Sequence, residues 1–148
     1  MNHDSKNHAS SQLGHFFQSF ECNNSAGNIP ALITQFADMF MAAGPTGAQC
    51  VSIADFAVAL PKRKQLFDSL GCQSTTLVSC LETRLDARFV MAETRWRMTF
   101  ARDGEEPKAV LADSLYIVET APEGLKIVFY LAHQDLVAML GSHGILPA

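Results

Sequence analysis

The hydrophobic rhythm of this chain changes once, near Gly71, and that change limits the folds open to it. Up to Gly71 the apolar residues recur mostly at helical spacing, and beyond it they recur at every second position as far as Leu131. Helices in the first half and strands in the second are segregated along the chain, which points to an α+β layout and away from alternating βαβ units.

The first half divides at its turn residues. Leu13, Phe16, Phe17 and Phe20 make one apolar stripe on a helix that begins at Ser10 or Ser11 and stops at Asn23-Asn24-Ser25-Ala26-Gly27. Asn28 is placed to cap a second helix with Pro30 in its first turn, and Leu32, Ile33, Phe36, Met39 and Phe40 fall on one face before Gly44-Pro45. A brief strand is expected near Val51 to Ile53. Pro61 then opens a third helix, KRKQLFDSLG, closed by Gly71. The run Lys62-Arg63-Lys64 reads as a solvated helix face in preference to a phosphate grip.

Four strands follow. Leu77, Leu81 and Leu85 alternate with Cys80, Glu82, Arg84 and Asp86, and Trp96, Met98 and Phe100 alternate with Arg95, Arg97 and Thr99. Asp103-Gly104 and Pro122-Glu123-Gly124 are turn signals on either side of a strand carrying Leu111, Asp113, Leu115 and Ile117. The predicted architecture is three N-terminal helices packed on a strongly curved, mainly antiparallel meander sheet, forming a cone with an internal pocket. Residues 1–9 read as a disordered tail and residues 10–148 as a single domain.

Composition narrows the partners. With 48% hydrophobic and 18% charged residues, the 148-residue chain has a globular balance, and its net charge of −4 gives nucleic acid no basic face. The apolar run Ile127 to Ala132 is too short to span a bilayer, and the opening MNHDSKNHASSQ lacks the apolar centre of a signal peptide. Cys22, Cys50, Cys72 and Cys80 show no C-x-x-C pairing, so the expected setting is cytoplasmic with reduced thiols. His143 and the other histidines have no metal-ligand spacing; neither metal nor cofactor is expected.

The order of these elements resembles the nuclear transport factor 2-like superfamily, which includes SnoaL-like polyketide cyclases, ketosteroid isomerases and scytalone dehydratases. The carriers are LITQFADMF, IADF, RKQLFDSLG, RWRMTF, DSLYIVE and KIVFYLAH. The resemblance implies a cone-shaped α+β fold, dimerisation through the sheet, and a pocket that serves either binding or cofactor-independent isomerase, cyclase or dehydratase chemistry. It also implies roles for two carboxylates. Asp55 is similar in position to the isomerases' catalytic base, although Phe56 replaces a proline there, and Asp113 resembles their protonated aspartate. Phe16 and Phe17 stand where the partner tyrosine is expected.

The strand KIVFYLAHQDL runs from apolar residues straight into His133, Gln134 and Asp135. If Leu115 lies opposite Leu131, Asp113 faces His133 on a surface shared with Leu111, Ile117, Ile127 and Phe129. A carboxyl and an imidazole in such surroundings suit proton transfer beside a carbonyl; the alternative is a purely structural pair. Asp55 is either a second base or a turn stabiliser, and Asp135 is expected to cap a short helix. A small hydrophobic molecule is the expected ligand, with Phe16, Phe36, Phe40, Trp96, Met98, Phe100, Leu115, Phe129 and Leu131 as candidate lining. Tyr116, Val118, Val128 and Tyr130 are assigned to the outer sheet face and to homodimerisation.

Overall fold

In a computed structural model, residues 12–145 are described; the tail assigned to residues 1–9 lies outside them. Helix α1 (Gln12–Ala26) leads into a single short turn, α2 (Ile29–Ile33). Next come β1 (Phe36–Gly44), β2 (Gly47–Ser52) and α3 (Ile53–Ser69). Four strands, β3 (Cys72–Arg84), β4 (Phe89–Phe100), β5 (Lys108–Ala121) and β6 (Gly124–Ala132), precede α4 (Leu136–Ser142). The result is an α+β fold with helices packed on one six-stranded sheet, ordered β2-β1-β6-β5-β4-β3. Every pairing is antiparallel except β1 with β6.

The second helix is much shorter than the sequence pattern implies. Asn28 does cap it, its side chain accepting from the Ala31 N–H at 3.3 Å, but the helix ends at Ile33 and the chain continues as β1. Phe36 and Phe40 satisfy a helical period, yet with Ala42 they also satisfy a period of two, turning inward while Met39 and Met41 point out. Pairing on both edges of β1 decides the matter, because it satisfies the backbone of the whole segment. The third helix, conversely, begins eight residues earlier than Pro61: Ser52 Oγ accepts from the Asp55 N–H at 3.1 Å, and α3 carries Pro61 in its interior. Burial of Phe56, Leu60 and Phe67 along one stripe outweighs the hydrogen bond that Pro61 removes.

Strand β4 sets the sheet's two faces. Val90, Ala92, Thr94, Trp96, Met98 and Phe100 are all buried beneath the helices, while Glu93, Arg95 and Arg97 are exposed. Register shifts change the facing of other strands, two of them in β3 and one in β6 against β5. In β3, Leu77 opposes Trp96 but Cys80 opposes Thr94, so the inward set changes from odd to even positions. Cys80 is therefore buried, and Leu81 and Leu85, expected beside Leu77, are 41% and 50% exposed. The Leu77 N–H is taken by the Glu21 carboxylate of α1 at 2.6 Å, which fastens that helix over the irregularity. In β6 the shift between the Ile117 and Val118 pairs leaves Val128 as the extra residue and turns Ile127 inward.

The core has two parts. Phe17, Phe36, Phe40, Val90, Trp96, Tyr116 and Ile127 fill the larger one. Leu70, Phe100, Val110, Leu140 and Ile145 form the smaller, where α4 closes one end of the sheet. Asp135 caps α4 as expected, accepting from the Ala138 N–H at 3.1 Å. No helix among the described residues is long and apolar enough to cross a membrane.

Candidate functional site

Between the helices and the sheet lies a cavity of about 180 Å³. Phe20 of α1 and Phe56 of α3 form its helical side, and Phe36 and Phe40 of β1 with Trp96, Met98, Tyr116 and Tyr130 form its sheet side. The rings are tightly arranged. Phe20 lies 5.9 Å from Trp96 and 5.8 Å from Tyr116, Phe36 lies 4.6 Å from Phe56, and Tyr116 stacks on Tyr130 at 5.1 Å. Such a wall presents ring faces and edges to whatever occupies the space.

Few polar groups interrupt it. The Trp96 indole N–H donates to Thr94 Oγ1 at 2.9 Å, and that hydroxyl donates to the Ser114 carbonyl at 3.3 Å, so the indole's polarity is already satisfied inside the sheet. Burial pushes the Tyr116 phenol well above its ordinary pKa, and the neighbouring Tyr130 adds to the shift. The charge of Arg63 and a hydrogen bond with the Ser114 side chain oppose it. Tyr116 is thus a neutral hydrogen-bonding group throughout the physiological range. At the rim stand Asn24, Arg63, Thr75 and Gln134.

The expected acid/base pair is elsewhere. Leu115 does lie opposite Leu131, and the His133 N–H donates to the Asp113 carbonyl at 3.2 Å, so the two residues are neighbours across the ladder. The facing, however, is reversed. Asp113 adjoins the cavity rim, but its carboxylate is held by Arg95 at 2.7 and 3.1 Å on the side of β4 away from Trp96. Arg95 first, against the opposing effect of burial, then more weakly a hydrogen bond with the Gln134 side chain and the charge of His133, hold the Asp113 carboxyl below its ordinary pKa, opposite to what a protonated hydrogen-bond donor requires. His133 is exposed. Asp55 is exposed in the first turn of α3, where its N–H is capped by Ser52, and it is absent from the cavity wall.

The candidate lining divides in the same way. Phe36, Phe40, Trp96 and Met98 line the cavity. Phe16 packs edge-on to Phe17 beside the main core, and Phe100 belongs to the smaller core. Leu115, Phe129 and Leu131 lie on the outer face of the sheet, and Tyr116 and Tyr130, assigned to that face, are inside. Both faces of β5 and β6 are apolar, so alternation alone does not say which one the helices cover. The missed aromatic wall residues are Phe20, Phe56, Tyr116 and Tyr130. The aligned charges Glu93, Arg95 and Arg97 were the available signal, because they mark the odd positions of β4 as the solvent side. Among the described residues no three His, Cys, Asp or Glu side chains come together to hold a metal ion, and the four cysteines form no disulfide.

No family model matches the sequence, and no curated protein matches it. Solved structures do match. An NTF2-like protein with a cystatin-like fold from Novosphingobium aromaticivorans superposes with a TM-score of 0.70 at 12% identity, covering 93% of this chain and 88% of that one. ActVI-ORFA from Streptomyces coelicolor gives 0.69 at 11% identity over 84% of this chain and 96% of that one. A ketosteroid isomerase-like protein from Erwinia carotovora atroseptica gives 0.63 at 11% identity over 87% and 98%. At such identities the likeness is one of fold. This chain has the nuclear transport factor 2-like, cystatin-like fold.

Proposed function

We propose that this protein binds a small hydrophobic molecule in its internal cavity, without turning it over. The observation that carries the reading is the aromatic wall, with no carboxylate or imidazole among the described residues directed into it. A cavity of about 180 Å³ is small for a drug-sized ligand. It is close to the roughly 150 Å³ that an apolar cavity needs to take up benzene, which points to a single-ring compound or a branched aliphatic of that size. Catalysis by Asp113, His133 and Asp55 is the weaker reading, since Arg95 neutralises the first and the other two face solvent.

Trp96 is the chain's one tryptophan, so its emission reports directly on the wall. Titration with toluene, phenol and small aliphatic ketones is expected to change that emission. Ligand at about a hundred times its dissociation constant is expected to stabilise the fold by about 2.7 kcal/mol. Filling the space with Ala112→Leu should abolish both responses while far-UV circular dichroism is retained. No response across the panel in the unsubstituted protein would overturn the proposal.

A second reading concerns the outer sheet face and a homodimer. Met39, Met41, Leu81 and Leu111 are exposed there, beside the half-buried Leu115, Phe129 and Leu131. The apolar part of this face, Leu115, Leu131, Phe129 and Met41 side by side on β5, β6 and β1, favours a protein partner, and a second copy is the simplest one. Light scattering should give twice the chain mass, falling to the single mass in Leu111→Arg; a single mass for both proteins would remove the dimer.

A further inference from the structure

The run Lys62-Arg63-Lys64 is expected on a solvated helix face, and Arg63 is indeed exposed on α3, but its side chain also borders two cavities. Arg63 lines the aromatic cavity and also a smaller cleft beside it, of about 80 Å³, between the α1–α2 turn, α3 and the start of β3. Asn24, Leu32, Leu60 and Thr75 line both spaces, so the two adjoin as one recess of two compartments, with Arg63 between them. We infer that the recess takes an aryl or arylalkyl carboxylate, its ring against the aromatic wall and its carboxylate on Arg63. The inference rests on the binding function proposed above and names the ligand class of that site.

Three observations support it. The guanidinium carbon of Arg63 sits 5.0 Å over the Phe67 ring, which holds a long side chain in one place at the mouth. Its charge is uncommitted: Arg63 has no ion pair among the described residues, whereas the neighbouring Lys64 is closed on Asp68 at 2.9 Å. That charge also reaches the interior, because it acts on the buried Tyr116 phenol. In a chain of net charge −4, the mouth of the cavity is therefore positive. Asp113, which adjoins the rim, does not offset it, since Arg95 already meets that carboxylate.

The donor set selects a carboxylate. A guanidinium offers a planar fork that matches the two oxygens of a carboxylate, and Asn24 and Thr75 stand beside it as further polar groups. One uncommitted cation matches one negative charge. The main cavity's size limits the apolar part to about one ring, with the cleft accommodating a short chain or the head group.

The test compares 3-phenylpropionate with 3-phenylpropan-1-ol by Trp96 emission and calorimetry at neutral pH. The two share a skeleton and differ in charge. The acid should bind at least about tenfold more tightly, the equivalent of one charge-assisted contact. Arg63→Gln should remove the acid's advantage, bringing its affinity to that of the alcohol measured on the same variant. Arg63→Lys should retain part of the preference, and added salt should weaken the acid alone. Equal affinities in the unsubstituted protein, or a preference that survives Arg63→Gln, would overturn the inference and leave the hydrophobic pocket standing. Failure of both compounds to bind would overturn the inference together with the binding function beneath it.

Discussion

Arg95 and Asp113 lie directly opposite one another on β4 and β5, and their side chains close as a two-point ion pair on the sheet face that the helices do not cover. This places the most conspicuous carboxylate of the sequence in a structural role. Asp113→Asn should therefore leave ligand-induced changes in Trp96 emission unaltered, and a loss of binding would return Asp113 to the site.

The same pair gives a pH dependence of definite sign. A carboxylate whose pKa is lower folded than unfolded contributes stability above its unfolded value, near 3.8, and loses it as pH falls through the folded value. The exposed pair has a small effect, about a few degrees in Tm at most. The Tm difference between the unsubstituted protein and Asp113→Asn should be level from about pH 7 to pH 5 and vanish towards pH 2. A difference that grows on acidification would contradict the pairing.

The four thiols should react in order of access. Burial, reinforced by the nearby charge of Glu82, pushes the Cys80 thiol up to about 11, whereas Cys22 and Cys50 are exposed. Alkylation at mildly alkaline pH, followed by mass spectrometry, should label Cys22 and Cys50 first and Cys80 only with unfolding. Rapid labelling of Cys80 in the folded protein would mean that β3 opens locally.

The bulge in β3 predicts unequal effects for two leucines that alternate in sequence. Leu77 packs against the main core and Leu81 is exposed, so Leu77→Ala should cost about 2 kcal/mol or more and Leu81→Ala under about 0.5 kcal/mol. Chemical denaturation of the two variants measures this; equal losses would place both side chains on one face.

Gly71 joins α3 to β3 with φ of +85°, and a Cβ there would collide with the Ala101 carbonyl. The Gly71 carbonyl in turn accepts from the Ala101 N–H at 2.9 Å, so neither strand end can retreat without losing that bond. Gly71→Ala should destabilise by about 1–3 kcal/mol, read by thermal unfolding, and a neutral result would require the turn to rearrange.

The fold was legible in the sequence where one face of an element was polar. Strand β4 could be read correctly because Arg95 and Arg97 contrast with Trp96 and Met98, and α1 because its phenylalanines fall on one stripe. The segment Phe36–Gly44 was not, since its apolar spacing fits two periods and pairing with β2 and, far along the chain, with β6 selects one. Leu81 was misplaced because a bulge leaves no mark in an alternating pattern. Asp113 is the instructive case. It and Arg95 are equally distant from Gly104 in the turn Asp103-Gly104, so the hairpin register was readable and would have set the carboxylate opposite the arginine. Reading β6 against β5 alone gave the correct neighbour, His133, on the wrong face.

The parallel seam between β1 and β6 also bears on how the protein is made. Phe36, on one side of that seam, must wait for Ile127, synthesised about 90 residues later, before its strand acquires its inner neighbour. The hairpins β3–β4 and β4–β5 are local and can assemble as they leave the ribosome, but the recess has no closed wall until the final strand arrives. A nascent chain halted before β6 would carry an unsealed row of phenylalanines, Phe36, Phe40 and Phe56, open to chaperones and to one another. The cavity lacks Tyr130 and Ala132 until β6 is made, so termination before that strand would leave its wall open.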